Sequence, residues 1–347
     1  MATDFAVQCP VPSDPTQQVA LAHGGGGALS QRLFERVFKP HFDNPVLATA
    51  HDAGILPNPG AGLAVSTDSF VVRPLEFPGG DIGHLAICGT VNDLLMAGAR
   101  PRWLTAAFIL EEGLPIATLE RLVTSMAKTA RRAGVVIASG DTKVVDRGHG
   151  DGVYINTTGI GVVESRPPLA PARVEAGDAI LVSGDLGRHG MAILSVREGL
   201  QFDIPIVSDC DLLIDPVMAL LQAPLEIHCM RDLTRGGLAS ALHEIAATRG
   251  LGIEIEATAI PVHEAVRGAC EILGLDPVHV ANEGRFAVFL PADQAEVALR
   301  ILRRFHPTAA IIGRVHATPS PPVTLRNSYG AVGVLPYLSG EQLPRIC

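Results

Sequence analysis

The chain has 347 residues, 47% of them hydrophobic and only 4% aromatic, with 36 Gly, 26 Pro and a formal net charge of −9. That length suggests two domains with aliphatic cores, α/β in class and rich in turns. The acidic balance, with no dense Lys/Arg run, argues against nucleic acid as a partner. No apolar run approaches the ~20 residues of a membrane-spanning helix.

The opening "MATDFAVQCP" has no basic stretch leading into an apolar one, so a cytoplasmic protein is expected. Residues 1–22 show no period and read as an irregular leader. "HGGGG" at 23–27 precedes "LSQRLFERVFKPHF", which has helical spacing of apolar residues. "LAVSTDSFVV" (63–72) reads as a strand and "DIGHLAICGTVNDLLMAG" (81–98) as a helix ending at Gly98. The clearest helix is 115–134. Pro115 suits its first turn, Ile116, Leu119, Leu122, Val123 and Met126 share a face, and Gly134 closes it. "VVIASGD" and "GVYINTTGIGVV" read as strands.

The Pro/Ala-rich stretch 164–178 is the best boundary, giving domains over 23–166 and 172–336. Beyond it come a strand "AILVSG", a Gly-rich turn, and a helix from about 190. "RDLTRGG" opens a second helix, "IEIEAT" and "RFAVFLP" read as strands, "DQAEVALRILRRF" as a helix and "AAIIGRV" as a strand. Residues 337–347 lose all period and are expected to form a mobile tail ending in Cys347.

None of the six cysteines forms a CxxC pair or shows zinc-site spacing, and Cys88, Cys210, Cys229 and Cys270 read as small core hydrophobes. The sequence has no P-loop, GxSxG or HExxH motif. What recurs is a short carboxylate beside Gly, Ser, Thr or Asn: Asp52, Asp68, Asp93, Asp141 and Asp232. Oxygen ligands of this kind suit Mg²⁺ held together with substrate phosphates. Gly24, Gly25, Gly26 and Gly27 can bring backbone N–H groups close to an anion. "DLTRGGL" adds a helix entry of phosphate-binding type. The combination suggests a nucleoside triphosphate bound through Mg²⁺–carboxylate bridges. There are only three Lys, and one of them, Lys143, lies in the turn-like "SGDTKVV".

"STDSFVVRPLEFPGGDIGHLAICGTVNDLLMAGARP", "FILEEGLP", "ASGDTKVV", "INTTGIG", "RDLTRGGL", "ANEGR" and "PRIC" together resemble the HypE family of hydrogenase-maturation carbamoyl dehydratases. That family sits in the wider ATP-binding superfamily of aminoimidazole ribonucleotide synthetase and selenophosphate synthetase. The resemblance runs from about His23 to Cys347. It implies two α/β domains, with the N-terminal β-sheet domain binding ATP and forming a homodimer. It implies that a carbamoyltransferase partner loads a carboxamide onto Cys347, and that ATP-dependent dehydration converts this to a thiocyanate. The cyanide then passes to an iron-carrying scaffold that builds the [NiFe] hydrogenase centre. Carried over by motif, Lys143 and Glu283 join Cys347 as catalytic candidates, and Asp52, Asp68, Asp93 and Asp141 are the metal candidates. His23, Gly24–Gly27, Asn92, Thr142, Asn156, Asp232 and Thr234 are the nucleotide-side candidates. One departure is His84, where the family often carries Lys; a phosphate contact there would depend on pH. A different product within the superfamily, and a non-catalytic scaffold presenting Cys347 to a metal, stand as alternatives.

Overall fold

The computed structural model describes residues 18–20, 23, 28–45, 58–200, 202, 205–318, 321–338 and 346–347. Near its start a helical stretch runs from α1 (Ala28–Leu33) through a wider π turn to α2 (Lys39–Phe42). The first sheet has the order β1-β6-β4-β5, from strands β1 (Leu63–Phe70), β4 (Ala99–Glu111), β5 (Val136–Val145) and β6 (Val153–Val163). A short β2 (Glu76–Phe77) and β3 (Gly80–Asp81) lead into α3 (Ile82–Met96). Asp81 caps α3 by accepting from the N–H groups of Gly83 and His84. Helix α4 (Ile116–Ala133) begins after Pro115 and stops at Gly134, whose φ of 67° places it in the left-handed region.

Strand alternation gives the sheet two different faces. Ser66, Asp68 and Phe70 of β1 lie on the face covered by α3, where Thr157 of β6 is fully buried. Leu63, Val65 and Ile109 lie on the other face and are 54%, 66% and 43% exposed. Helix α3 is buried on nearly every side, because it lies between this sheet, α4 and the C-terminal half.

The C-terminal half holds a seven-stranded sheet of order β13-β12-β9-β11-β7-β10-β8. Its strands are β7 (Asp178–Val182), β8 (Cys229–Asp232), β9 (Gly252–Glu256), β10 (Phe286–Pro291), β11 (Ala310–His316), β12 (Val323–Arg326) and β13 (Val332–Val334). The β12–β9 pair is parallel and the others are antiparallel. Helices α5 (Arg188–Arg197), α6 (Ile214–Gln222), α7 (Gly237–Arg249), α8 (Glu264–Leu273) and α9 (Ala295–Leu302) complete it. One apolar cluster joins α3 and α4 to Met191, Val217 and Phe286, so the halves share a core.

Two expectations change. Part of the leader is built into the fold: Val19 is buried, donates its N–H to Leu114 O and accepts from Gly113 N. The tail is anchored at its tip: Ile346 is buried, and its carbonyl accepts from the buried His189 Nε2. Val71 N–H donates to Cys347 O over 3.3 Å. Asp52, Gly24–Gly27 and residues 339–345 lie outside the described residues.

Candidate active site

Four elements bring carboxylates to one place. Strand β1 carries Asp68 on its helix-covered face, and α3 presents Asp93, which accepts a hydrogen bond from Ser66 Oγ. Strand β8 ends at Asp232, and the loop before β10 carries Glu283. The segment between α5 and α6 adds Asp209. Asn92 stitches this arrangement together. Its Oδ1 accepts from Leu213 N at 2.9 Å, and its Nδ2 donates to the carbonyls of Asp211 (3.0 Å) and Glu283 (3.4 Å). Gly284 is required where two loops meet, since a Cβ there would sit 1.9 Å from Asp209 O. Gly284 N also donates to Asp209 Oδ2 at 3.1 Å.

Like charges gathered out of water resist ionisation. Burial, with Asp93 beside it, pushes Asp232 up to about 7. Burial followed by Asp232, Asp209, Asp68 and Asp93 holds Glu283 well above the carboxylate range. Asp68 is raised by burial and by Asp93, although Ser69 N–H opposes this. Glu283 Oε1 and Asp209 Oδ1 are buried with no hydrogen-bond partner among the described residues. Unsatisfied oxygens in a cage of like charge call for positive charge, and a hard divalent cation on phosphate oxygens fits this donor set.

Lys143 and Asp141 stand elsewhere. They pair with each other at 2.7 Å on the open face of the edge strand β5. A β-bulge between Leu104 and Thr105 of β4 pairs Leu104 with Ile137 but Thr105 with Ser139. The extra residue turns Ser139, Asp141 and Lys143 away from α3. Within one chain they are therefore not part of the carboxylate cluster, contrary to the grouping of Asp141 with Asp68 and Asp93. Thr142 faces the helix side of β5, opposite Phe108. Asn156 Nδ2 donates to Asp68 O and Ser69 Oγ, holding the backbone that carries Asp68. Thr234 O accepts from Gly237 N in the turn that starts α7. His23 is buried and accepts from Ala20 N–H through Nδ1. It lines a cleft of about 400 Å³ with Arg32, Leu33, Glu35, Arg36 and Ile116, none of which belongs to the cluster.

His84 does not face that cluster either. Its Nδ1 lies 2.8 Å from Thr129 Oγ1 and its Nε2 lies 3.0 Å from Cys210 O. Asp209 escaped sequence reading because "SDCDL" sits in no periodic element; only its burial marks it. The Cys347 backbone is held at Val71, three residues past Asp68 on the same chain segment. The tail tip thus touches both halves, at Val71 of the first and at His189 of the second.

The chain matches AIR synthase related protein, N-terminal domain, over residues 50–163, and AIR synthase related protein, C-terminal domain, over 175–326. It is 50% identical over 337 residues to carbamoyl dehydratase HypE of Rhodobacter capsulatus, covering 95% of this chain and 98% of that one. The Escherichia coli K12 carbamoyl dehydratase HypE is 47% identical, with 95% and 99% covered. A crystal structure of hydrogenase maturation protein HypE in complex with ATP superposes with a TM-score of 0.91 at 49% identity, over 94% of this chain and 99% of that one. A HypE–HypF complex gives 0.77 at 45% identity, over 89% and 99%.

Proposed function

The chain belongs to the HypE family of carbamoyl dehydratases, and from that premise we propose that it dehydrates a carboxamide carried on its own Cys347, using ATP. The observation that carries the reading is the docking of the Cys347 backbone at Val71, on the chain segment that leads from Asp68 of the carboxylate cluster.

An amide oxygen leaves poorly, so it must first be phosphorylated. The oxygen of the Cys347 S-carboxamide attacks the γ-phosphorus of ATP, ADP departs, and one N–H proton is lost. Loss of phosphate with the second N–H proton then leaves S–C≡N. ATP and the carboxamide become ADP, phosphate and thiocyanate, with no net redox change. Asp68, Asp93 and Asp232 are the residues that would hold Mg²⁺, which would supply charge neutralisation on the phosphates. Glu283 keeps its proton while its neighbours are uncompensated. Once positive charge offsets them it is a carboxylate able to accept an amide proton. Asn92 and Gly284 position these groups through the backbone bonds described above.

The partner is a carbamoyltransferase that loads Cys347, a reading supported by the solved HypE–HypF complex. The product passes its cyanide to an iron-carrying maturation scaffold for a [NiFe] hydrogenase. Homodimerisation through the open face of the first sheet would bury Leu63, Val65 and Ile109 and bring Lys143 to the interface.

Intact-protein and peptide mass spectrometry tests the reading. Incubation with carbamoyltransferase, carbamoyl phosphate and ATP gives a carboxamide on the Cys347 peptide, which then loses one water. An adduct on another cysteine, or no water loss with Mg·ATP present, rejects it.

A further inference from the structure

We propose that His84, Cys88 and Cys210 form a binding site for one soft divalent transition-metal ion of the zinc type, joining the two halves of the chain. The imidazole and thiol ligand atoms all lie within 4.8 Å of one another. His84 and Cys88 are one helical turn apart on α3, so they share a face. Cys210 comes from the other half, on the segment between α5 and α6.

The spacing fits a tetrahedral ion. Bonds of about 2.3 Å to sulfur and about 2.0 Å to nitrogen require an N···S edge of about 3.5 Å. Cys88 Sγ lies 3.6 Å from His84 Nε2 and 3.8 Å from Nδ1, so the sulfur is at the right distance but beside the ring, and ligation requires a turn of the imidazole. The same nitrogen faces the Cys210 carbonyl oxygen at 3.0 Å, which closes the fourth side. The other nitrogen, Nδ1, faces Thr129 Oγ1, whose hydrogen is already given to Ser125 O. With Thr129 accepting from Nδ1–H, the Nε2 lone pair is the ligating site.

Binding breaks two S–H bonds, forms two metal–sulfur bonds and one metal–nitrogen bond, and releases the protons to solvent. Cys88 and Cys210 are both buried, which suits a structural ion. The consequence reaches the proposed active site, and this part rests on that reading. Asp209, next in chain to Cys210, is a wall of the carboxylate cluster. Ser208 Oγ lies 2.8 Å from Nδ1 of His189, the residue that holds the Ile346 carbonyl. An ion on Cys210 would fix the segment that supports both.

The test adds Co²⁺ or Zn²⁺ alone to reduced, chelator-treated full-length protein. One Co²⁺ per chain with thiolate-to-metal charge-transfer absorption is expected. The absorption should be lost in Cys88→Ser and Cys210→Ser, and affinity should fall at least about tenfold in His84→Gln. Cys229→Ser and Cys347→Ser should bind as wild type. Zn²⁺ should raise the thermal midpoint of the wild type and of His84-intact variants with both thiols, so a misfolded variant is recognised by its own melt. Absence of charge transfer in the wild type, its persistence in Cys88→Ser or Cys210→Ser, or its loss only in Cys347→Ser overturns the site. ATP turnover enters none of these readouts, so the metal site and the dehydratase reading fail separately.

Discussion

Asp232 shows how one residue records its surroundings. Its folded-state value of about 7 lies above the ordinary 3.8, so the folded, cation-free protein holds a proton that the unfolded chain gives up. Stability from this group is present at low pH and is lost as pH rises from about 4 through about 7. Asp232→Asn removes that loss. The nucleotide-free variant should melt about 2–4 °C above wild type at pH 8, with the gap closing near pH 5, in scanning calorimetry. The same substitution should weaken Mg·ATP binding about tenfold or more in titration calorimetry. For the wild type, Mg·ATP affinity should fall as pH drops below about 7, because protons compete for the same carboxylate. A pH-independent affinity would remove Asp232 from the nucleotide site.

At the scale of elements, two contacts set the geometry of the cleft. Gly284 brings the loop before β10 against Asp209, and Gly284→Ala should destabilise the protein by about 2–4 kcal/mol in denaturant unfolding, since the obstructing atom is backbone. His189 anchors the tail from α5. His189→Leu should leave the fold intact while raising the alkylation rate of Cys347 several-fold, read by peptide mass spectrometry, because local opening of the tail then costs less. The strongly patterned elements were legible in the sequence: α4 with its Gly134 stop, β1, β6, β10 and α9. Strand β4 was not, although it is central to its sheet, because Arg100-Pro101-Arg102 hides its alternation. Short β8, α6 and α8 carry too few periods to separate from loops. Asp68, Asp93, Asp232 and Glu283 were legible as carboxylates beside small or amide residues. The turning of Asp141 and Lys143 to the opposite face was not, because it depends on one bulged residue in a pairing that sequence period cannot register.

For the whole molecule, that bulge raises the question of whether Lys143 can serve a cluster on the other side of its own sheet. An exposed pair such as Lys143–Asp141 contributes little to stability, so its position is not explained by folding. The same open face carries exposed apolar side chains, Ile109 on the neighbouring strand and Val65 and Leu63 on the far edge strand, as a surface that pairs with a copy of itself would. In such a homodimer Lys143 of one subunit would meet the cleft of the other, and each active site would draw on two chains. Mixing Lys143→Ala with Glu283→Gln subunits tests this. If the two residues act across the interface, every mixed dimer keeps one intact site, and an equal mixture should recover about a quarter of wild-type ATP turnover from two inactive parents. If they act within one chain, every site in the mixture lacks one group and turnover stays at the parental level. Sedimentation of Val65→Asp, with Val65 the most exposed large apolar side chain of that face, should show the monomer and lose turnover in parallel.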